Sequence, residues 1–195
     1  MILLLKPREQ IIAPAPRLGD VIELPDPAFS RGRVLLVFVR HTGCPFAERD
    51  IKESRRWAAE HPDARVVVVT HGDINVRNRW LDLIGGGDGL ALYHDSDRHF
   101  YGQIGLGYSN GWHFMGPQSL MGVVKLWFRG IFNRMASGTR WQRAGVFFLQ
   151  DGVLQWSNTP QSADDFILPP ASLLATEGLA TEGLTSEQEN HNAPG

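Results

Sequence analysis

Two strongly apolar runs constrain the fold more than any other feature of this sequence. Residues 34–39 read Val-Leu-Leu-Val-Phe-Val, and residues 64–70 read Ala-Arg-Val-Val-Val-Val-Thr. Runs of this length and composition are typical of strands that are covered on both faces, as in a parallel sheet. A helical pattern of apolar residues follows each run, over residues 46–60 and from an N-cap at Asp73 to the glycines at 85–87. The sequence therefore predicts strand, helix, strand, helix.

The rest of the chain extends this order with shorter elements. Residues 90–93 predict a third strand, and residues 97–104 a short helix. Asp151-Gly152 separates two further apolar runs, a strong signal for a β-hairpin. A last helix is expected over residues 170–174. Together the elements predict an α/β domain with a mostly parallel sheet, helices on both faces and an antiparallel hairpin at one edge.

The length of 195 residues and the apolar content of 43% fit one ordinary domain with tails. We expect an extended N-terminal lead-in over residues 1–16 and the folded domain over residues 17–174. Within it, residues from about 105 to 142 form a helical insertion before the hairpin. The tail, residues 175–195, carries four Glu and no Lys or Arg, and its polar composition predicts an acidic, disordered segment.

Charge and composition exclude several classes of function. The net charge of -2 and the absence of a Lys/Arg-rich run argue against a nucleic-acid partner. Every apolar stretch is shorter than a membrane-spanning helix, so no integral membrane association is expected. The single cysteine excludes an internal disulfide framework and makes the cytoplasm the expected location. The seven histidines lack the spacing of a ligand set, so we predict no metal and no other cofactor.

Cys44 is the candidate reactive group. It follows the first strand and the turn Thr42-Gly43, where the next helix begins. The unpaired N–H groups and the positive dipole end of a helix stabilise a thiolate, and such positions lower a cysteine pKa from about 8.5 to roughly 3.5–7.5. On this local pattern alone, a lone cysteine beside an apolar strand also fits a small buried hydrophobic residue.

Three segments resemble one known family. Residues 38–46, Phe-Val-Arg-His-Thr-Gly-Cys-Pro-Phe, are similar to the active-site segment of peroxiredoxin-like proteins of the AhpC/TSA antioxidant group. Residues 101–106 and 144–156 are similar to later segments of that family, in the same order and spacing. The resemblance covers roughly residues 17–168. It implies a thioredoxin-like three-layer sandwich, with a mixed central sheet, helices on both faces and a helical insertion before the last hairpin.

The resemblance also implies an activity. Cys44 would be the nucleophile that reduces hydrogen peroxide or an organic hydroperoxide and becomes a sulfenic acid. Thr42, His41 and Arg40 are the further candidate catalytic residues. Arg40 and His41 precede the thiol closely enough to favour its anion or to contact a bound peroxide, but Arg40 could instead point to solvent and His41 could hydrogen-bond the backbone. The chain could form a homodimer. Because Ala47 stands where a Cys-x-x-Cys partner would be, regeneration needs an external thiol reductant, glutathione or a thiol protein.

Three positions differ from the family pattern. Val37 and His41 stand where typical members have Pro and Thr. The arginine that typical members place before the hairpin falls on Ala144, which leaves Arg143 or Arg40 to replace it. These differences keep open a second interpretation, a catalytically inactive thioredoxin-fold module for binding or scaffolding.

The insertion would supply the binding surface of such a module. Between residues 98 and 150 the sequence has Lys125 and five arginines but no Asp or Glu, together with many large apolar residues. We predict a helix around residues 119–135, with Lys125, Arg129 and Asn133 on one stripe. This helix could cover the sheet with its basic stripe in solvent, form a partner or dimer surface, or contact an anionic membrane. The acidic tail could also fold back onto it.

Overall fold

The computed structural model describes residues 10–110 and 116–175. Its centre is one five-stranded sheet with the strand order β3-β2-β1-β4-β5. The strands are β1 (Arg33–Phe38), β2 (Ala64–Thr70), β3 (Ala91–His94), β4 (Gly145–Gln150) and β5 (Val153–Asn158). The helices are α1 (Pro45–Glu60), α2 (Ile74–Leu83), α3 (His99–Gln103), α4 (Pro117–Phe128) and α5 (Ala171–Ala175), and a 3-10 turn covers Pro27–Phe29.

The sheet is mixed, as predicted. β1 runs parallel to β2 and antiparallel to β4, and β2 runs parallel to β3. The β4–β5 hairpin turns at Asp151 (φ 49°) and Gly152 (φ 79°). Two successive residues at positive φ are typical of the type I′ turn, which suits the twist of a two-residue hairpin. The Asp-Gly signal is therefore confirmed.

Both faces of the sheet are covered. Alternate residues of β1 enter two separate hydrophobic clusters: Leu35 and Val37 pack on the side of α1 and α2, and Leu36 and Phe38 pack on the side of α3. The second cluster includes Tyr101, which is fully buried. Because both faces of β1 are dry, its sequence is apolar without alternation. The prediction of helices on both faces of the sheet is confirmed.

The helix of the insertion is shorter than predicted. α4 begins two residues before the predicted start, with a proline at its first turn, and ends at Phe128 instead of residue 135. Arg129 is its C-cap, and Gly130 follows at φ +74°, the left-handed conformation that commonly terminates helices. Asn133 lies beyond the helix, so the predicted stripe of Lys125, Arg129 and Asn133 is wrong.

The segment before β1 lies on the domain without forming a strand of its own. The Ala13 N–H donates to the Gly102 carbonyl at 2.9 Å, and Val21 makes an isolated antiparallel bridge to Val153. The prediction of a disordered tail lies outside the described residues, apart from Ala175 in α5. The domain limits stay a prediction.

Candidate active site

The loop from β1 to α1 places Cys44 at the start of a helix, as predicted. Cys44 is the N-cap of α1, with extended backbone angles of φ -76° and ψ 133°, and Pro45 occupies the first helical turn. The Cys44 side chain makes no capping hydrogen bond to the helix. Proline is typical of the first helical position, because a backbone N–H there would have no partner within the helix.

Cys44 lines a small cavity. The side chain is only 4% exposed, and the cavity beside it has a volume of about 120 Å³. The lining residues are Arg40, His41, Gly43, Cys44, Pro45, Phe46, Val123, Asn133, Arg134 and Arg140. The sulfur is therefore shielded from bulk solvent, but a molecule inside the cavity would lie next to it.

Three arginines line the cavity, and they come from two parts of the chain: Arg40 lies before Cys44, and Arg134 and Arg140 lie between α4 and β4. Arg40 follows β1 and donates from Nη2 to the Arg140 carbonyl at 2.9 Å. Arg134 lies 3.5 Å from a carboxylate oxygen of Glu48, a residue of α1 that is 3% exposed. Glu48 also pairs with Lys52 at 2.7 Å. This arrangement concentrates positive charge beside Cys44 and balances part of it with a buried carboxylate.

Only one of these arginines was predicted from the sequence. Arg134 and Arg140 lie about 90 residues or more after Cys44, so no local pattern connects them with the thiol. The only sequence signal was the absence of Asp and Glu around them. Arg143, the alternative to Arg40, is not among the cavity-lining residues, and its N–H donates to the Gly107 carbonyl at 3.0 Å.

His41 lines the cavity as a neutral imidazole. Its ring is 5% exposed, and its Nδ1 lies 2.9 Å from the Thr42 carbonyl. Burial lowers the pKa of His41 well below its usual value, and the charges of Arg40 and Arg140 lower the pKa further. Since a carbonyl only accepts, Nδ1 carries the proton and donates it, which leaves Nε2 as an acceptor.

A second buried histidine supports this loop from behind. His71, at the end of β2, is 1% exposed, and its Nε2 donates to the Arg40 carbonyl. Burial lowers the pKa of His71 to about 4. Its ring stacks edge to face on Tyr101 at 5.4 Å, and the Tyr101 hydroxyl lies 2.6 Å from the Val39 carbonyl. Both side chains fix the backbone before Cys44, and sequence reasoning missed both because they act from other strands and helices.

Thr42 is placed differently from the other predicted site residues. It is fully buried and is not among the residues that line the cavity. Within the described part of the chain, its Oγ1 has no hydrogen-bond partner. Its carbonyl accepts the Ser137 N–H at 3.3 Å in addition to the His41 ring. The catalytic role of Thr42 stays a prediction.

Residues 129–144, which we call the covering segment, close the cavity by main-chain contacts. The Arg134 N–H donates to the Gly43 carbonyl at 2.8 Å, and the Asp73 N–H donates to the Ser137 carbonyl at 2.7 Å. Gly43 has φ +87°, and a Cβ there would lie 2.1 Å from the Met135 carbonyl oxygen. Gly72 has the same φ and would meet the Ser137 carbonyl oxygen at 2.2 Å. Both glycines are thus required by the close approach of this segment.

Two other classes of site receive no support from the described residues. Residues 10–110 and 116–175 contain no group of three or more His, Cys, Asp and Glu side chains that could hold a metal ion. In the same part of the chain, every helix is too short or too polar to cross a membrane.

Comparison with known structures identifies the fold. A thiol peroxidase from Chromobacterium violaceum is 18% identical, with a TM-score of 0.55 over 89% of this chain and 91% of that one. The peroxiredoxin 6 of Arenicola marina is 12% identical, with a TM-score of 0.56 over 82% and 71%. A peroxiredoxin-like protein from Aquifex aeolicus is 12% identical, with a TM-score of 0.52 over 84% and 87%. The predicted thioredoxin-like fold is confirmed.

Sequence comparison identifies the family. No curated protein matches the chain. The model of the AhpC/TSA antioxidant enzyme family matches residues 52–161, a stretch that begins after Cys44. The role of the cysteine therefore rests on the geometry of its own site. Since the match covers more than half of the 195 residues, the chain belongs to the AhpC/TSA antioxidant enzyme family.

Proposed function

We propose that this protein is a single-cysteine thiol peroxidase that reduces hydrogen peroxide or a small organic hydroperoxide through Cys44. The observation that carries the proposal is the meeting of Cys44 with Arg40, Arg134 and Arg140 around one cavity. Three arginines around one cavity favour an anion there, and both the thiolate and the leaving alkoxide are anions.

The proposed reaction has one chemical step in the cavity. The Cys44 thiolate attacks the terminal oxygen of the hydroperoxide, an S–O bond forms, and the O–O bond breaks. Cys44 is oxidised to a sulfenic acid, and the hydroperoxide is reduced to an alkoxide that takes up a proton and leaves as an alcohol, or as water from hydrogen peroxide. The arginines donate hydrogen bonds to the oxygen on which negative charge develops.

His41 is the proposed proton carrier. Its low pKa keeps the ring of this cavity-lining residue neutral, and its Nδ1 hydrogen bond to the Thr42 carbonyl leaves Nε2 as a proton acceptor. Nε2 relays the proton of the thiol to the leaving oxygen within the same step, so that an imidazolium, which the low pKa disfavours, does not accumulate. A group with a low pKa releases that proton readily, which suits the second half of this transfer.

The reductant must come from another molecule, because Cys44 is the only cysteine of the chain. A first external thiol condenses with the sulfenic acid, forming a mixed disulfide and releasing water. A second thiol attacks that disulfide, restores the Cys44 thiol and leaves as the oxidised reductant. Glutathione and a thiol protein both satisfy this stoichiometry, and the narrow cavity favours the smaller one.

Cavity size limits the substrate. An apolar cavity of about 150 Å³ holds one benzene molecule. The cavity beside Cys44, at about 120 Å³, has room for hydrogen peroxide or for a hydroperoxide with a short alkyl chain. Phe46 and Val123 supply apolar walls for such a chain.

The test is direct trapping of the oxidised thiol. The reduced protein is treated with one equivalent of peroxide in the presence of a sulfenic-acid reagent, and the adduct is located by mass spectrometry. We expect one adduct, on Cys44, and no peroxide consumption by Cys44→Ser. Absence of the adduct, or equal peroxide consumption by Cys44→Ser, would refute the proposal.

One observation favours the second interpretation, an inactive binding module: the Cys44 side chain is almost completely buried. A purely structural thiol would resist alkylation in the native protein and react only after unfolding in urea. The peroxidase proposal requires that Cys44 of the native protein reacts with a small alkylating reagent at neutral pH. Comparing native and unfolded samples separates the two functions.

A further inference from the structure

The outward side of helix α4 is apolar. The buried residues that face the protein are Ser119, Gly122 and the core residue Leu126. The residues that face solvent include Met121 at 58% exposure and Phe128 at 89%. Small residues let the helix lie close to the domain, since a Cβ at Gly122 would meet the Asp164 carboxylate at 2.6 Å. Large apolar side chains in solvent are costly unless another surface covers them.

The outward residues form a continuous surface. With about 100° between successive residues of a helix, the exposed apolar residues fall within an arc of roughly 120°. Phe132 and Met135 of the covering segment extend this surface and are 54% and 71% exposed. We call the whole the α4 patch, which consists of Leu120, Met121, Val124, Trp127, Phe128, Phe132 and Met135.

Basic side chains border the α4 patch. Lys125 and Arg129 are exposed and lie next to the apolar arc on the helix. Within the described residues, neither lies within ion-pair distance of a carboxylate. Both line a groove of about 310 Å³ together with Phe128. Its one carboxylate, Asp164, already accepts from Arg49 at 2.6 Å. The groove thus presents positive charge beside an aromatic ring.

We propose that the α4 patch docks onto the surface of an anionic lipid membrane. Large apolar side chains on one face of a helix, with Lys and Arg at its border, are typical of helices that lie in the membrane interface. There the apolar arc enters the acyl boundary, and the cations stay among the anionic headgroups. A second copy of the chain fits less well, because symmetric pairing would bring Lys125 and Arg129 close to their own copies.

Docking would place the Cys44 cavity beside the lipid. Val123, which is adjacent to the apolar arc on the helix surface, lines that cavity. Asn133, which lies in the chain between Phe132 and Met135 of the α4 patch, also lines it. The proposal concerns attachment, however, and does not depend on the chemistry of Cys44. It can therefore be tested with Cys44→Ser, so that a failure of the peroxidase proposal and a failure of docking are distinguishable.

The experiment is co-sedimentation of the full chain with two sets of vesicles, one of phosphatidylcholine and one that also contains about 30% phosphatidylserine. We expect binding to the phosphatidylserine vesicles that weakens as salt is raised. Phe128→Ser should weaken binding roughly 10- to 100-fold, and the pair Lys125→Gln, Arg129→Gln about 30-fold. Leu83→Ser is the matched control, because Leu83 is a 68% exposed apolar residue at the end of α2.

Three results would overturn the proposal. The first is equal or no binding to the two sets of vesicles. The second is a lipid-free dimer, seen by sedimentation velocity, that Phe128→Ser dissociates, since the patch would then bind a second copy. The third is vesicle binding that appears only after deletion of residues 176–195, since the acidic tail would then be the occupant of the patch.

Discussion

Replacing Gly43 with alanine should detach the covering segment from the loop that holds Cys44. The new Cβ would lie 2.1 Å from the Met135 carbonyl oxygen, a distance that real Cβ atoms do not reach. Because ordinary contacts begin at 3.4 Å, the covering segment must move by about 1.3 Å, the difference between 3.4 and 2.1 Å. That movement disrupts the hydrogen bonds from Arg134 N–H to Gly43 and from Ser137 N–H to Thr42.

The expected loss of stability has two parts. An alanine in the left-handed region costs about 1–2 kcal/mol. Two weakened main-chain hydrogen bonds add about 1 kcal/mol each. Gly43→Ala should therefore lower the free energy of unfolding by about 3–4 kcal/mol, measured by urea denaturation. Because the cavity opens, alkylation of Cys44 in the native state should also become faster.

Gly19→Ala is the matched control. Gly19 has φ +90°, close to the +87° of Gly43, but a Cβ there meets no atom within 4 Å. It should lose only the backbone contribution, about 1–2 kcal/mol, and leave the alkylation rate unchanged. Equal destabilisation of the two variants, or an unchanged alkylation rate in Gly43→Ala, would refute the view that close packing of the covering segment closes the cavity.

Two further outcomes follow from the site. Arg140→Ala should slow the reaction of Cys44 with peroxide roughly 10- to 100-fold, because a charged hydrogen-bond donor is lost. Arg143 lies outside the cavity lining, so Arg143→Ala should leave the rate unchanged. Equal rates for the two variants in stopped-flow assays would contradict this. The pKa of His71 is about 4 in the folded protein and 6.5 in the unfolded chain. Between pH 4 and 6.5 the unfolded chain therefore holds a proton on His71 that the folded protein lacks, so the contribution of His71 to stability rises with pH. His71→Gln should remove about 3 kcal/mol of that rise, measured as the difference between variant and parent in denaturation curves from pH 4 to 7. His41 and His94 contribute in the same direction as His71, and Asp50, whose pKa burial raises to about 7, contributes in the opposite direction. An unchanged slope in the variant would contradict the neutral, buried state of His71.

The elements of the sheet were predictable because local patterns determine them. β2 has the predicted bounds, since its apolar run is flanked by turn residues on both sides. Asp73 caps α2 by accepting from the N–H groups of Asn75 and Val76. The end of α4 was not predictable from periodicity. Apart from Leu126 and Val123, its large apolar residues face solvent. The apolar pattern continues through Phe132 and Met135 beyond the helix, so it does not indicate where the helix ends.

The candidate site also contains residues that local sequence predicts and residues that it does not. Cys44, His41 and Arg40 were predictable because they lie on one strand-to-helix connection, whose order of residues is local information. Arg134 and Arg140 reach the cavity because the covering segment folds back over that connection, and it is fixed there by main-chain hydrogen bonds that no side-chain pattern encodes. The close approach of the covering segment requires glycines at its contacts, but a glycine in the sequence does not show which segment approaches it.

The position of the covering segment links the site to the rest of the molecule. β1 and β2 are adjacent and parallel, so the loops that follow them lie at the same edge of the sheet. The covering segment crosses both loops, with contacts at Gly43 and Gly72, and it connects α4 to β4. A displacement of α4, for example on docking of its apolar face, would therefore also move the covering segment, which carries Arg134 and Arg140. Access to Cys44 and the position of its cations should change together, because one stretch of main chain controls both.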